Sequence, residues 1–397
     1  MKFVLFTFVN MEETGFITAL FKDYNSIKIK ELFGRYVRLI DIENLLDNFG
    51  EEFSLKEIGA SVLGKPIHSI QFGNGPIKIM AWSQMHGNES TTTKAVFDLI
   101  NYISKYSKEP LVQSILSNCS ICIIPMLNPD GAEAYTRINA NKIDLNRDAQ
   151  NLSQPESRVL KQIFENIKPD FCLNLHDQRT IFSAGNTPNP AVLSFLTPSM
   201  DKDRQIFPSR IKSMQLIAKI VQDLSGLLPD RIGRYDDGFN INCTGDTFQS
   251  TQTPTILFEA GHFPQDYERE ETRKYVFLAL ISVLKAISEG NFEEIDHNKY
   301  QEIPENKKLF YDIILREANS ENGIVDVAIQ YKELLKEGEL VFIPEIEKIA
   351  YKIEEYAHKE IHCEKKKIAI NNKYKLIENV IVNKIVLNGV ELPLKCG

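Results

Sequence analysis

Three short polar stretches each follow directly on an apolar run, and they hold the residue types that could do chemistry. The first is His86-Gly-Asn-Glu89, after Ile77-Lys-Ile-Met-Ala-Trp82. The second is Asn174-Leu-His-Asp-Gln178, with His176 at the tip of Phe171-Cys-Leu-Asn-Leu175. In the third, Thr255-Ile-Leu-Phe258 runs straight into Glu259-Ala-Gly-His262. An imidazole and a carboxylate three residues apart can be aimed at one point by a single tight turn, and zinc accepts His nitrogen and carboxylate oxygen. Taken singly, each stretch reads as a polar turn, a satisfied histidine or a solvated strand end. Taken together, His86, Glu89 and His176 make the two-His, one-Glu donor set of a catalytic zinc site with a position left open. Glu259 is then a spare carboxylate, free to act as general base toward water.

A fourth segment carries Asn128-Pro-Asp-Gly131, then Arg137, then Asp144-Leu-Asn-Arg147. Asn-Pro-Asp-Gly is a strong turn signal after a strand. Arg137 and Arg147 near a zinc centre would suit two tasks: stabilising an oxyanion and gripping a carboxylate in bidentate fashion. The residues alone do not say which arginine takes which task.

The elements that must position these groups alternate. Strands are expected at 67–72, 77–82, 120–126, 171–175 and 255–258, and helices at 91–105, 155–166, 206–224 and 268–288. Ser90 and Thr91 to Thr93 are good starters for the first of these helices. Such alternation predicts an α/β fold: a mixed, mostly parallel sheet flanked by helices, with ligands gathered at strand C-terminal ends. Residues 11–48 read as helical, so 1–48 is expected to be a helical extension packed on a catalytic domain at 49–295. Past the polar stretch 288–299 the texture turns to strands at 309–315, 339–343, 367–370 and 380–387, with a turn at Asn388-Gly389. Residues 296–397 are therefore expected to form a small β-rich domain.

The chain has 397 residues, 43% apolar and 25% charged, with a net charge of −8. That balance favours neither nucleic acid nor an anionic membrane as partner. No run approaches the roughly 18 apolar residues of a membrane span. Met1–Asn10 is apolar but has one basic residue and no small-residue cleavage site, and Glu12-Glu13 follows; it reads as a poor signal peptide. The six cysteines are scattered, and Cys119 and Cys122 read as structural thiols. A reducing, cytoplasmic location is the expectation.

His86-x-x-Glu89, Asn128-Pro-Asp-Gly131, Arg137, Asp144-x-Asn146-Arg147, His176 and Glu259 stand in the order and approximate spacing of the zinc carboxypeptidases, the family that includes carboxypeptidase A. Over residues 50–290 the chain resembles that family. The resemblance implies Zn2+ held by His86, Glu89 and His176, with Asp144 orienting His86. It implies that Asn146 and Arg147 hold the substrate's terminal carboxylate, that Arg137 polarises the scissile carbonyl, and that Glu259 activates the attacking water and later protonates the leaving amine. Tyr235 is the only tyrosine near the place of the family's mobile tyrosine, although the loop 233–246 matches poorly. His262 is a rival ligand that the family pattern does not require; a part in orienting site residues or touching substrate is expected of it instead. No long propeptide is expected ahead of the catalytic region, so membership of the zymogen branch is not the expectation. Asp236, Asp237, Asn240, Asn242, Thr244, Asp246, Thr247 and Gln249 make the pocket loop polar. The implied activity is a metallocarboxypeptidase acting on a peptide; the alternative is an amidohydrolase of the same superfamily acting on N-acyl amino acids or cell-wall peptides.

Overall fold

The computed structural model describes residues 11–46, 50 and 52–393, with side chains from residue 15 onward. The apolar stretch 1–10 and Cys396 lie outside the described residues. The first nine strands are β1 (Phe53–Ala60), β2 (Pro66–Phe72), β3 (Ile77–Trp82), β4 (Cys119–Ile124), β5 (Phe171–Asp177), β6 (Phe182–Ser183), β7 (Leu193–Leu196), β8 (Ile232–Arg234) and β9 (Thr255–Ala260). All but β6 form one sheet in the order β1-β2-β4-β3-β5-β9-β7-β8. Its centre is parallel, β4 to β3 to β5 to β9, and antiparallel pairs flank that centre. The sheet is thus the mixed one expected.

Helices cover both faces, which explains why β3 is an unbroken apolar run rather than an alternating one. Side chains alternate along a strand. Ile79 and Ala81 enter a core with helices α1 (Met11–Ile27), α3 (Thr91–Lys105), α7 (Pro208–Leu224) and α9 (Glu270–Glu289). Met80 and Trp82 face the other way, into a core with Leu160 and Phe164 of α6 (Pro155–Ile167) and Phe248 of α8 (Thr244–Ser250). The remaining α-helices among the described residues are α2 (Leu39–Leu46), α4 (Pro110–Asn118), α5 (Pro129–Ala134) and the short α10 (Lys299–Glu302).

The same alternation decides where the polar strand-end residues go. On β5, Leu173 and Leu175 belong to the first core; on β9, Ile256, Phe258 and Ala260 do. Asn174, His176, Leu257 and Glu259 must therefore point to the opposite face. Register pairs Asn174 with Leu257 and His176 with Glu259.

The N-terminal segment is less helical than its composition suggests. Between α1 and α2, residues 28–38 run without regular structure. Their backbone groups bond to side chains of the catalytic core instead of to each other. Ile29 N–H donates to Asp98 Oδ1 (2.8 Å) and Leu32 O accepts from Arg273 Nη1 (2.5 Å). Arg35 O accepts from Ser90 Oγ (2.6 Å) and Val37 O from Gln84 Nε2 (2.8 Å). Asp98 is fully buried, and its charge is met by Arg273 at 2.7 and 2.6 Å and by the Tyr24 hydroxyl at 2.6 Å. An uncompensated carboxylate there would cost several kcal/mol, so the clasp holds α1, α3 and α9 in one arrangement.

Past β10 (Lys307–Lys308), which pairs with β6, come β11 (Phe310–Ser320), β12 (Gly323–Lys336), β13 (Glu339–Ala350) and β14 (Tyr356–His362), a four-stranded sheet in the order β13-β12-β11-β14. Strands β15 (Ile368–Ile370), β16 (Ile385–Leu387) and β17 (Val390–Leu392) form a small third sheet. Three expected strands are shorter than anticipated, the one at 367–370 only by its first residue. β4 stops at Ile124 because Pro125 brings no N–H to the ladder. Of 380–387 only Ile385–Leu387 is strand, because Val380 and Val382 are drawn to β13: Ile346 N–H donates to Val380 O (3.0 Å) and Val382 N–H to Pro344 O (2.8 Å). Asn388 and Gly389 have φ of 47° and 87°, the left-handed pair of a tight hairpin between β16 and β17.

Candidate metal centre and substrate cleft

The chain leaves β3 at Trp82 and turns through Gln84, whose φ is 48°. The Gln84 amide fixes this turn by donating to Val37 O (2.8 Å) and Gly87 O (2.9 Å). Gly87 then lies against the second turn of the site. A Cβ on Gly87 would fall 1.9 Å from the Gly131 carbonyl carbon, so only glycine fits there. The Asn-Pro-Asp-Gly sequence explains that approach. Asn128 Oδ1 accepts from Gly131 N–H (2.8 Å) at the start of α5, and Asn128 Nδ2 donates to Met85 O (3.2 Å). The turn is a floor under the loop that carries His86 and Glu89.

A further tie sets β5 against that loop. Ser90 stands at the N-cap of α3 but makes no side-chain capping bond. Asp177 does the capping instead, accepting from Thr91 N–H (3.0 Å) and Thr92 N–H (3.4 Å). The carboxylate also suits the positive end of the helix. Because Asp177 follows His176, capping α3 places His176 beside the loop.

The result is a buried convergence of donors. His86 Nδ1 lies 2.9 Å from Glu89 Oε1, His176 Nδ1 lies 2.8 Å from Glu89 Oε2, and the two Nδ1 atoms are 3.0 Å apart. All three residues offer a ligand atom within 4.8 Å of the others. Two imidazole nitrogens and a carboxylate crowded together inside a protein are a donor set that a cation relieves, and zinc takes such ligands. Asp144 Oδ1 meets His86 Nε2 at 3.1 Å, the carboxylate–imidazole contact that orients a metal-binding histidine. Burial pushes the Glu89 carboxyl up, yet the two imidazoles outweigh it and hold Glu89 well below the usual carboxylate range.

Glu259 stands on the neighbouring strand. Its side chain reaches the cleft, while Oε2 is buried with no partner among the described residues. Burial, with the Glu89 and Asp177 carboxylates nearby, pushes the Glu259 carboxyl far above its ordinary value. A basic oxygen held unpaired beside the donor cluster is what a general base for water requires.

The cluster opens into a cleft of about 740 Å³ lined, among others, by Arg137, Asn146, Arg147, Tyr235, Asp246 and Glu259. Arg137 Nε donates to Asp144 Oδ2 (3.0 Å) and its Nη1 to Glu89 Oε1 (3.3 Å), so it sits at the metal cluster. Asn146 Oδ1 accepts from Thr244 N–H (3.0 Å), which joins its 3-10 turn to α8. Arg147 Nη1 donates to Asn146 O (2.7 Å) and Cys243 Sγ (3.1 Å), leaving the rest of its guanidinium toward the cleft. The Tyr235 hydroxyl donates to Gln178 Oε1 (2.8 Å). Burial raises Asp246 to about 6. His86, Glu89, Arg137, Asp144, Asn146, Arg147, His176, Tyr235 and Glu259 thus lie at this one site.

His262 does not. It is 1% exposed and packs between Tyr267 and His358, at centroid distances of 4.8 and 4.3 Å. It does not line the cleft, so the expectation that it touches substrate or orients a site residue fails: the strand carries it past the site and under the C-terminal sheet.

Several cleft residues escaped the sequence reading. Asp177 had a local signal, adjacency to His176, but its capping role depends on α3. Arg35 and residues 331–334 of β12 also line the cleft. Arg35 Nη1 donates to Glu333 Oε1 (2.5 Å), and Glu333 Oε2 accepts from the Tyr135 hydroxyl (2.7 Å). Nothing in the local sequence marks these contacts, which span 298 and 198 positions of chain.

Residues 41–223 match the family described as zinc carboxypeptidase. Carboxypeptidase SOL1 of Arabidopsis thaliana is 32% identical over 183 residues, 41% of this chain and 37% of that protein. Carboxypeptidase D of Rattus norvegicus is 31% identical over 154 residues, 34% of this chain and 11% of that protein. The chain thus spans well under half the length of these curated relatives. The carboxypeptidase A of Helicoverpa armigera superposes with a TM-score of 0.52 at 14% identity, over 71% of this chain and 82% of its own, and shares the fold. Residues 41–223 are thus similar to the zinc carboxypeptidases in sequence, and the chain shares the carboxypeptidase fold.

Proposed function

We propose that the protein is a zinc metallocarboxypeptidase that hydrolyses the C-terminal peptide bond of a peptide. One observation carries this reading: His86, Glu89 and His176 converge beside an unpaired Glu259 oxygen, in the same cleft as Arg147. His86, Glu89 and His176 would hold the zinc ion, which supplies Lewis acidity at the scissile carbonyl and eases deprotonation of water.

The chain's own groups do the rest. Arg147, with the Asn146 side chain beside it, binds the free α-carboxylate and aligns the last peptide bond. Glu259 takes a proton from the attacking water as its oxygen bonds to the carbonyl carbon. Arg137 donates to the oxygen that becomes negative. When the C–N bond breaks, Glu259 returns the proton to the leaving amine. Asp144 holds His86 and Arg137 in place through its two oxygens.

The test is hydrolysis of a peptide panel by the zinc-loaded protein, with products identified by mass spectrometry. Loss of single C-terminal residues from free-acid peptides, abolished by chelation and reduced on the order of 10²–10⁴-fold in Glu259→Gln, supports the reading. Internal cleavage, release of an acyl group only, or full turnover by Glu259→Gln refutes it.

A further inference from the structure

One wall of the cleft that holds the metal cluster comes from β12. Four consecutive residues line it: Tyr331, Lys332, Glu333 and Leu334. Side chains of consecutive strand residues point to opposite faces. What four in a row can present together to one cavity is therefore the edge of the strand, its backbone.

Among the described residues that edge has no strand beside it. β12 pairs with β11 only as far as Ile313 opposite Ile329, whereas its pairing with β13 continues to Lys336 opposite Glu339. From residue 330 onward β12 and β13 form a two-stranded ribbon. The direction of the backbone groups follows from two facts. Tyr331 N–H turns away from β13 and donates to Asp312 Oδ2 at 2.7 Å. Its register partner is Pro344, which has no N–H to offer, and the Pro344 carbonyl accepts from Val382 on the far side. Tyr331 and Pro344 are thus a non-hydrogen-bonded pair of the ladder. Every second pair is of that kind, so Glu333 opposite Phe342 is one too. The N–H and C=O of Glu333 point out of the ribbon along the free edge.

The edge is also held firmly. The Glu333 side chain is locked by Arg35 and Tyr135, and Tyr331 and Phe342 pack around Tyr267 at centroid distances of 5.4 and 5.6 Å. An exposed strand edge is ordinarily blunted, because it recruits other chains. This one lines the cleft.

We infer that the β12 edge at Glu333 is a main-chain rail for the substrate: the extended residues preceding the scissile bond add to the ribbon as a further strand, exchanging N–H···O=C bonds with Glu333. This inference rests on the peptidase reading above and extends it to the acyl side of the scissile bond. Backbone pairing is indifferent to side chains, so the rail selects for an extended peptide of more than minimal length and not for a particular sequence there.

Two measurements test it. In the first, each backbone amide upstream of the scissile bond is N-methylated in turn and kcat/KM is measured with the wild-type protein. The rail predicts a loss of about ten- to a hundredfold at the one amide facing Glu333, and little at its two neighbours, as expected for a single lost and unsatisfied hydrogen bond. In the second, hydrogen exchange is followed in the full-length zinc-loaded Glu259→Gln protein with the unmethylated peptide and with the most penalised N-methyl peptide. The first should slow exchange in residues 331–336 and the second should not. Equal penalties at all upstream positions, or unchanged exchange in 331–336 with a peptide that wild type cleaves, overturns the rail and leaves the peptidase reading standing. A protein that neither binds nor cleaves any peptide overturns both.

Discussion

Replacing Arg147 by Met separates removal of a C-terminal residue from other hydrolysis. Arg147 Nη1 is already committed to Asn146 O at 2.7 Å and to Cys243 Sγ at 3.1 Å, which fixes the plane of the guanidinium. Two N–H edges remain for a substrate carboxylate, in the fork geometry that favours bidentate contact. Hydrogen bonds to a charged group contribute about 1.5–3 kcal/mol each. Arg147 stands at the open side of the cleft, where water competes, so the lower value is appropriate and two bonds give about 3 kcal/mol. Methionine keeps much of the length and removes both. The expected loss in kcat/KM for a free-acid peptide is therefore roughly 150-fold. The same peptide with an amidated C-terminus, which the wild type should cut poorly, offers no carboxylate and should be nearly indifferent to the substitution. The assay is kcat/KM for the two peptides with the two proteins, with zinc content measured in parallel. If wild type cuts both peptides equally and Arg147→Met changes neither, the assignment of the carboxylate site to Arg147 is wrong.

Two other outcomes are expected. His176→Ala should lose most of its zinc by elemental analysis, whereas His262→Ala should keep it, because His262 lies against His358 and not at the donor cluster; the reverse result would exchange their roles. The second concerns pH. His358 is packed against His262 with Nε2 2.8 Å from Thr180 O, and burial lowers it from 6.5 to about 4. A histidine held neutral in the fold gives stability that is complete above pH 6.5 and is lost as pH falls from there toward 4. Between pH 6.5 and 5 that amounts to about 2 kcal/mol. Denaturant midpoints of wild type and His358→Asn should therefore converge on acidification; parallel pH profiles would show that His358 does not contribute.

The sequence alone carried the candidate donor residues and their places in the chain. Short apolar runs ending in His, Glu or His-Asp could be read as strands with functional tips because burial on both faces demands unbroken apolar residues, and a polar residue at such a tip has no place in a core. β3 and α3 came out at their observed bounds for that reason. The Asn-Pro-Asp-Gly turn was legible as a turn, but its purpose was not: only the folded chain shows Gly131 backed against Gly87. The same is true of Asp177, whose carboxylate caps a helix that begins 86 positions earlier. The segment 28–38 was misread as helix because apolar spacing cannot show that its backbone bonds go to Asp98, Arg273, Gln84 and Ser90. The C-terminal strands were legible as β-rich texture, without any hint that β12 would close the cleft. Local periodicity reports which face of an element is buried. It does not report which distant element buries it, and the Arg35–Glu333–Tyr135 contacts, which join segments 298 and 198 positions apart beside the cleft, are decided only by tertiary packing.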